Sequence, residues 1–188
     1  MSRVGCRCFE VQILPCQCSV SLNMGRYIMN IFYLDEDITL CARYHCDSHV
    51  VKMILESVQI LCTVLSKNKV SAPYRPTHKN HPCVIWAGES LENWIWLRNL
   101  VFELNKEFQY RFDHNSPHKS VLVSNSLALP PIPAIGITER PQAMPEIYKI
   151  LGDPITAYRQ YYVAEKGSLL KYTKRPVPEW ALNMLTKK

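Results

Sequence analysis

The residues best equipped for chemistry fall in two short segments, Tyr44-His45-Cys46-Asp47-Ser48-His49-Val50-Val51-Lys52-Met53 and Thr77-His78-Lys79-Asn80-His81-Pro82. They hold four of the chain's six histidines, together with a thiol, a carboxylate and two ammonium groups. Such groups are costly to desolvate, so their density beside apolar runs points to a site. Two chemistries compete for it. His45 and His49 are four apart and His78 and His81 three apart, spacings that let a helix turn two rings toward one metal ion. With Cys46 and Cys83 nearby, a zinc-type centre is one reading. The glutamate of H-E-x-x-H and the C-x-x-C of zinc deaminases are both absent, which weighs against it.

The other chemistry is phosphate binding. Asp47 marks a helix start, where unpaired N–H groups and the partial positive charge of the helix attract anions. His45, His49 and Lys52 lie on successive turns around it, and Arg75, His78, Lys79 and His81 join from the second segment. Asp47, His45, His49 and Lys52 are therefore the first candidates for the site. The sequence shows no legible Ser–His–Asp arrangement, no P-loop and no G-x-G-x-x-G. With only six glycines, a glycine-rich nucleotide cradle is disfavoured and no cofactor is expected.

Charge supports the phosphate reading. The formal net charge is +6, and residues 159–188 carry seven basic side chains against only Glu165 and Glu179. Tyr161, Tyr162, Tyr172 and Trp180 interleave with Arg159, Lys166, Lys174 and Arg175. That mixture can stack on bases while neutralising phosphates, so these four cations join His78, Lys79 and His81 as expected DNA contacts. A solvated basic tail and aromatics buried in a core are the plainer alternatives.

The elements that must position these groups are mostly helical. Asp37 can cap a short helix through Leu40, Cys41 and Tyr44, and Asp47 a longer one. In the longer helix Val50, Val51, Ile54, Leu55, Val58, Leu61, Cys62 and Leu65 recur at core-facing spacing. Pro82 fits the first turn of a third helix. Ser90 can cap a fourth, with Trp94, Leu97, Val101, Phe102, Leu104, Phe108 and Phe112 inward and Glu92, Arg98, Glu103, Lys106 and Glu107 outward. Residues 127–145 are proline-punctuated and irregular. Asp153-Pro154 opens a last long helix that ends near Gly167, a natural C-cap. Asn30 to Leu34 is a short strand or an extended arm. The expected fold is therefore mainly α, a single compact helical domain over 29–188 with proline-rich irregular segments and little or no sheet.

Residues 1–28 look different. They carry Cys6, Cys8, Cys16 and Cys18 as two C-x-C pairs, show no helical period, and are expected to lie outside the core fold. Those thiolates could form a metal-binding or redox appendage. No stretch approaches ~18 uninterrupted apolar residues, so no membrane span is expected. Without an apolar export signal, an intracellular, soluble protein is expected.

From Met29 onward the chain resembles a family of uncharacterised proteins from bacteriophages and large DNA viruses. The resemblance is carried by M-N-I-F-Y-L-D (29–35), Y-H-C-D-S-H-V-V-K-M-I-L-E-S (44–57), T-H-K-N-H-P-C-V-I-W (77–86), R-P-Q-A-M-P-E (140–146), A-Y-R-Q-Y-Y-V-A-E-K (157–166) and K-R-P-V-P-E-W (174–180). More remotely, the helix at 47–61, the N-H-P-x-x-x-W element and the aromatic-basic C-terminal region are similar to pyrimidine-dimer DNA glycosylases of the phage endonuclease V type. That likeness implies DNA as partner, a host cell of a virus as location, and a glycosylase and abasic-site lyase acting on a damaged or flipped base. In those enzymes the processed N-terminal amine attacks C1′ of the sugar and a nearby carboxylate stabilises the cationic sugar. Here the likeness makes Asp47 the catalytic carboxylate, with His45, His49 and Lys52 as its catalytic neighbours; Met29 or Asn30 would hold the amine, but 28 residues precede Met29. Lys52 or Lys79 is the alternative amine. A non-catalytic nucleic-acid- or nucleotide-binding protein and a His/Cys metal protein remain the other two readings.

Overall fold

A computed structural model describes residues 29–186, which form seven α-helices and no strand. They are α1 (Ile38–Tyr44), α2 (Asp47–Lys67), α3 (Pro82–Glu89), α4 (Leu91–Phe112), α5 (Lys119–Asn125), α6 (Pro154–Lys166) and α7 (Glu179–Leu185). The mainly helical expectation holds. The four cysteines of the C-x-C pairs, and the appendage expected of them, lie outside the described residues.

α2 is the centre of the core. Val50, Ile54, Val58, Leu61 and Leu65 are fully buried on one side, and Met53, Ile60 and Val64 are buried on others. Val51 and Leu55, expected inside, are partly exposed. A helix apolar around most of its circumference needs neighbours on several sides, and α3, α4 and α5 all pack on it. Its length and hydropathy would suffice to cross a membrane, but 72% of that window is buried within the fold, the place of a core helix.

Several helix starts follow from their capping residues. The Asp37 carboxylate accepts from Leu40 N–H at 2.8 Å, the Ser90 hydroxyl from Asn93 N–H at 3.1 Å, and Asp153 from Thr156 N–H at 2.9 Å. α2 departs from this pattern. Its N-cap is Cys46, with no side-chain cap bond, and Asp47 is its first helical residue. Gly167 ends α6 with φ −51°, a right-handed conformation that leads into the 3-10 turn Gly167–Leu169 rather than a left-handed stop. The short helices α5 and α7 were not anticipated from the sequence.

Met29–Leu34 is an extended arm laid through the core, every residue of it buried. Buried backbone needs partners, and side chains supply them here. Leu34 N–H meets the Cys41 sulfur at 3.4 Å, and the Leu34 carbonyl accepts from Arg159 Nε at 2.8 Å. Phe32 packs among Tyr158, Tyr161 and Tyr162 of α6, and Tyr33 against Trp86 and Trp96. The arm thereby joins α6 to α2, α3 and α4.

Candidate functional site

Where the arm crosses α2 there is a cavity of about 190 Å³ lined by Asn30, Phe32, Ser48, His49, Lys52, Met53, Glu56, Tyr161, Lys166 and Leu169. His49, Lys52, Met53 and Glu56 come from one face of α2, at steps of three and four. Asn30 N–H donates to Glu56 Oε2 at 3.2 Å, and Lys52 Nζ lies 3.2 Å from Glu56 Oε1. The Asn30 side chain is fixed on both sides: its amide donates to the Ala143 carbonyl at 3.0 Å, and its oxygen accepts from Tyr158 at 3.1 Å. Burial raises the Glu56 carboxyl above the ordinary range, while Lys52, Asn30 N–H and the charge of His78 pull it back. A carboxyl displaced in this direction holds a proton more readily than one in open solvent.

His49 is held with equal care. Its ring stacks on Phe32 at 4.8 Å and 12°, and its Nδ1 lies 2.8 Å from the Tyr162 hydroxyl. That hydroxyl already accepts Cys46 N–H at 2.9 Å and has one proton to give. The same hydroxyl donates to the Cys46 sulfur at 3.3 Å, so one tyrosine ties the His49 ring to the start of α2. Burial, with the charges of His45, Lys52 and Lys166, lowers His49 to about 3, so it is neutral at physiological pH. It can donate a hydrogen bond to a ligand but does not present a fixed cation.

Asp47 does something else. Its carboxylate accepts from Thr173 N–H at 2.9 and 3.1 Å, from the Thr173 hydroxyl at 2.7 Å, and from Arg111 Nη1 at 3.3 Å. Its partners are all internal, and the carboxylate that lines the cavity is Glu56. Arg111, itself buried, also donates to the carbonyls of His45 at 2.8 Å and Arg43 at 2.7 Å. It pairs with Glu107 at 3.0 Å, which in turn binds Arg175 at 2.7 Å. Glu107 is therefore buried, not on the outward face of α4 as its polar neighbours imply. Asp47, Arg111, Glu107 and Arg175 form one ionic chain that clamps the C-terminal segment to α2 and α4.

His45 is in the core and away from the cavity lining. It is fully buried, its Nδ1 bonds the Cys41 carbonyl at 2.7 Å, and its Nε2 meets no partner among the described residues. Burial, helped by Arg111, lowers it to about 4.

The C-terminal cations divide. Lys166 reaches the cavity, lying 5.6 Å from the Tyr161 ring. Arg159 instead pairs with Asp35 at 2.8 Å and lies over Tyr44 and Trp180. Lys174 pairs with Asp113, and Arg175 lies 4.2 Å over Tyr110 while binding Glu107. These three fasten the fold to itself, and their positive charge is already compensated.

From the second segment, His78 is exposed and near enough to act on Glu56, and Lys79 is exposed beside it. His81 is half-buried and uses Nδ1 to cap α3 through Cys83 N–H at 3.2 Å. Neither His78 nor His81 lines the cavity that holds His49 and Lys52. Among the described residues no three His, Cys, Asp or Glu side chains gather as a metal would require.

Glu56 was the residue hardest to see in advance. Its signal is the pair Lys52 and Glu56 at i, i+4, with the acid set inside the apolar run Ile54-Leu55 to Val58. Compared with protein-family models, curated proteins and solved structures, the chain matches none.

Proposed function

We propose that this protein is a DNA glycosylase and abasic-site lyase of the amine-nucleophile type, acting on a damaged or flipped nucleotide. One observation carries the proposal: a backbone nitrogen at the start of the arm meets a buried carboxylate inside a cavity edged by two lysines. In the resemblance drawn from the sequence, an N-terminal amine and a carboxylate work together, and Asn30 and Glu56 stand in that relation here.

In the full chain the Asn30 nitrogen is an amide and cannot attack carbon. Lys52, 3.2 Å from the same carboxylate, is then the amine. In a chain opened before Asn30, its α-amino group takes that place. Glu56 accepts the proton the ammonium must lose. At an abasic site the amine adds to the C1′ aldehyde and water departs, giving an imine. At an intact nucleotide the amine bonds to C1′ as the base leaves with the electron pair of its glycosidic bond and takes up a proton; the C1′–O4′ bond then opens, O4′ taking a proton, and the same imine results. Loss of the C2′ proton then expels the 3′ phosphate. His49, a neutral imidazole in the cavity lining, would hydrogen-bond the departing base.

The test is reduction of the imine by borohydride on abasic and dimer-containing DNA, using the full chain and a chain beginning at Asn30. A covalent adduct with at least one chain is expected. No adduct from either chain on either substrate overturns the mechanism, and DNA binding without any adduct favours the non-catalytic reading instead.

A further inference from the structure

Between Glu56 and Glu89 the chain contains no acidic residue, yet Lys67, Lys69, Arg75 and Lys79 fall within that span. All four are exposed, and none forms an ion pair among the described residues. They contrast with Arg159, Lys174 and Arg175, each of which meets a carboxylate of the same chain.

Lys67 ends α2, and the loop that carries the other three is fastened to that helix. Thr77 N–H donates to the Thr63 hydroxyl at 3.1 Å, and Lys67 Nζ donates to the Lys79 carbonyl at 3.3 Å. Pro73 and Pro76 restrict it further, which lowers the ordering cost of presenting its charges. The loop packs along α2, the helix that also carries Lys52 and Glu56 of the cavity.

We infer that the end of α2 and the loop after it, Ser66 to Asn80, form the surface that holds the phosphate backbone of a nucleic-acid strand, through Lys67, Lys69, Arg75 and Lys79. The surface deepens the proposed function by naming its partner contact, and it rests on that reading for the nucleotide entering the cavity. A run of like charge with no internal compensation gains by releasing counterions from phosphates. Arg159, Lys174 and Arg175 contribute little to that gain, since binding DNA would require them to give up existing carboxylate partners.

The experiment is a salt titration of binding by the full chain, with fluorescent single-stranded and duplex oligonucleotides and with phosphatidylserine vesicles. It is repeated on K67Q, K69Q, R75Q and K79Q, singly and combined, and on Lys174→Gln as the control. Log K against log salt is expected to fall with slope about −3 for a single strand, or about −4 for duplex. Each loop variant is expected to reduce that slope by about 1 or slightly less, and the combined variant to bind at least tenfold more weakly. Lys174→Gln leaves the slope unchanged. Circular dichroism of the combined variant checks that it is folded.

A slope insensitive to the four loop changes, binding to vesicles but not to DNA, or no DNA binding at low salt each overturns the surface. Glu56→Gln enters the same titration without chemistry. A borohydride adduct with an unaltered salt slope therefore removes the surface but keeps the lyase. A loop-dependent slope with no adduct does the reverse.

Discussion

Asn30 N–H donates to the Glu56 carboxylate across 3.2 Å, joining the buried arm to a residue 26 positions further along the chain. Lys52 shares that carboxylate on the solvent side. The arrangement gives Glu56 two hydrogen-bonding partners and little water, a setting for proton exchange rather than for a surface ion pair. Glu56→Gln preserves the shape and removes the charge. We expect it to cut imine formation at abasic DNA by roughly 100-fold or more, while thermal unfolding moves little because the Lys52 partner is half exposed. Unchanged single-turnover trapping in this variant would remove Glu56 from the chemistry.

Asp47 is expected to behave in the opposite way. Its partners Thr173 and Arg111 lie 126 and 64 positions away, so the carboxylate ties distant segments together. Asp47→Ala leaves the guanidinium of Arg111 short of an anion and frees the Thr173 backbone. A loss of about 3 kcal/mol in urea unfolding is expected, with the adduct yield of the folded fraction near that of the unaltered protein. A stable but chemically dead Asp47→Ala would restore the role first expected of it.

The ionic chain through Glu107 gives a separate measurement. Glu107 binds both Arg111 and Arg175, and these bonds hold its carboxyl below the ordinary range against the opposing effect of burial. A double-mutant cycle between Glu107 and Arg175 is expected to show coupling of about 1–3 kcal/mol. Coupling near zero would mean that Arg175 is free for a ligand.

Stability should fall in mild acid because of His45. Burial lowers its folded value to about 4 from an ordinary 6.5. The unfolded chain therefore takes up a proton that the folded chain refuses, and stability present above 6.5 is lost as pH drops toward 4. Linkage gives about 2 kcal/mol between about pH 7 and about pH 5, and His49 adds loss of the same sign. His45→Gln, which can still donate to the Cys41 carbonyl, should flatten the dependence of the urea midpoint on pH. An equally steep dependence in that variant would assign the effect to other groups.

Much of the fold could be read from local chemistry. Asp37, Ser90 and Asp153 cap their helices by reaching three residues ahead, an interaction visible in any short window. Asp47 shows the same local pattern, but Thr173 takes its carboxylate, and no window near residue 47 contains that partner. Glu107 looked solvent-facing among Glu103 and Lys106 because Arg175 is 68 positions away. The site divides in the same fashion. His49, Lys52 and Lys166 were legible as polar groups beside apolar helices. Glu56 was not, since only the folded arm brings Asn30 to it, and the arm has no period to announce its path.

The most direct test of the account is to locate the borohydride adduct by peptide mass spectrometry after trapping on abasic DNA. The account predicts attachment at Lys52 in the full chain and at the Asn30 amine in a chain that begins there. Both adducts should vanish in Glu56→Gln and persist in Asp47→Ala. Attachment at Lys79 or another lysine outside the cavity, or trapping that is indifferent to Glu56 but lost with Asp47, would contradict it.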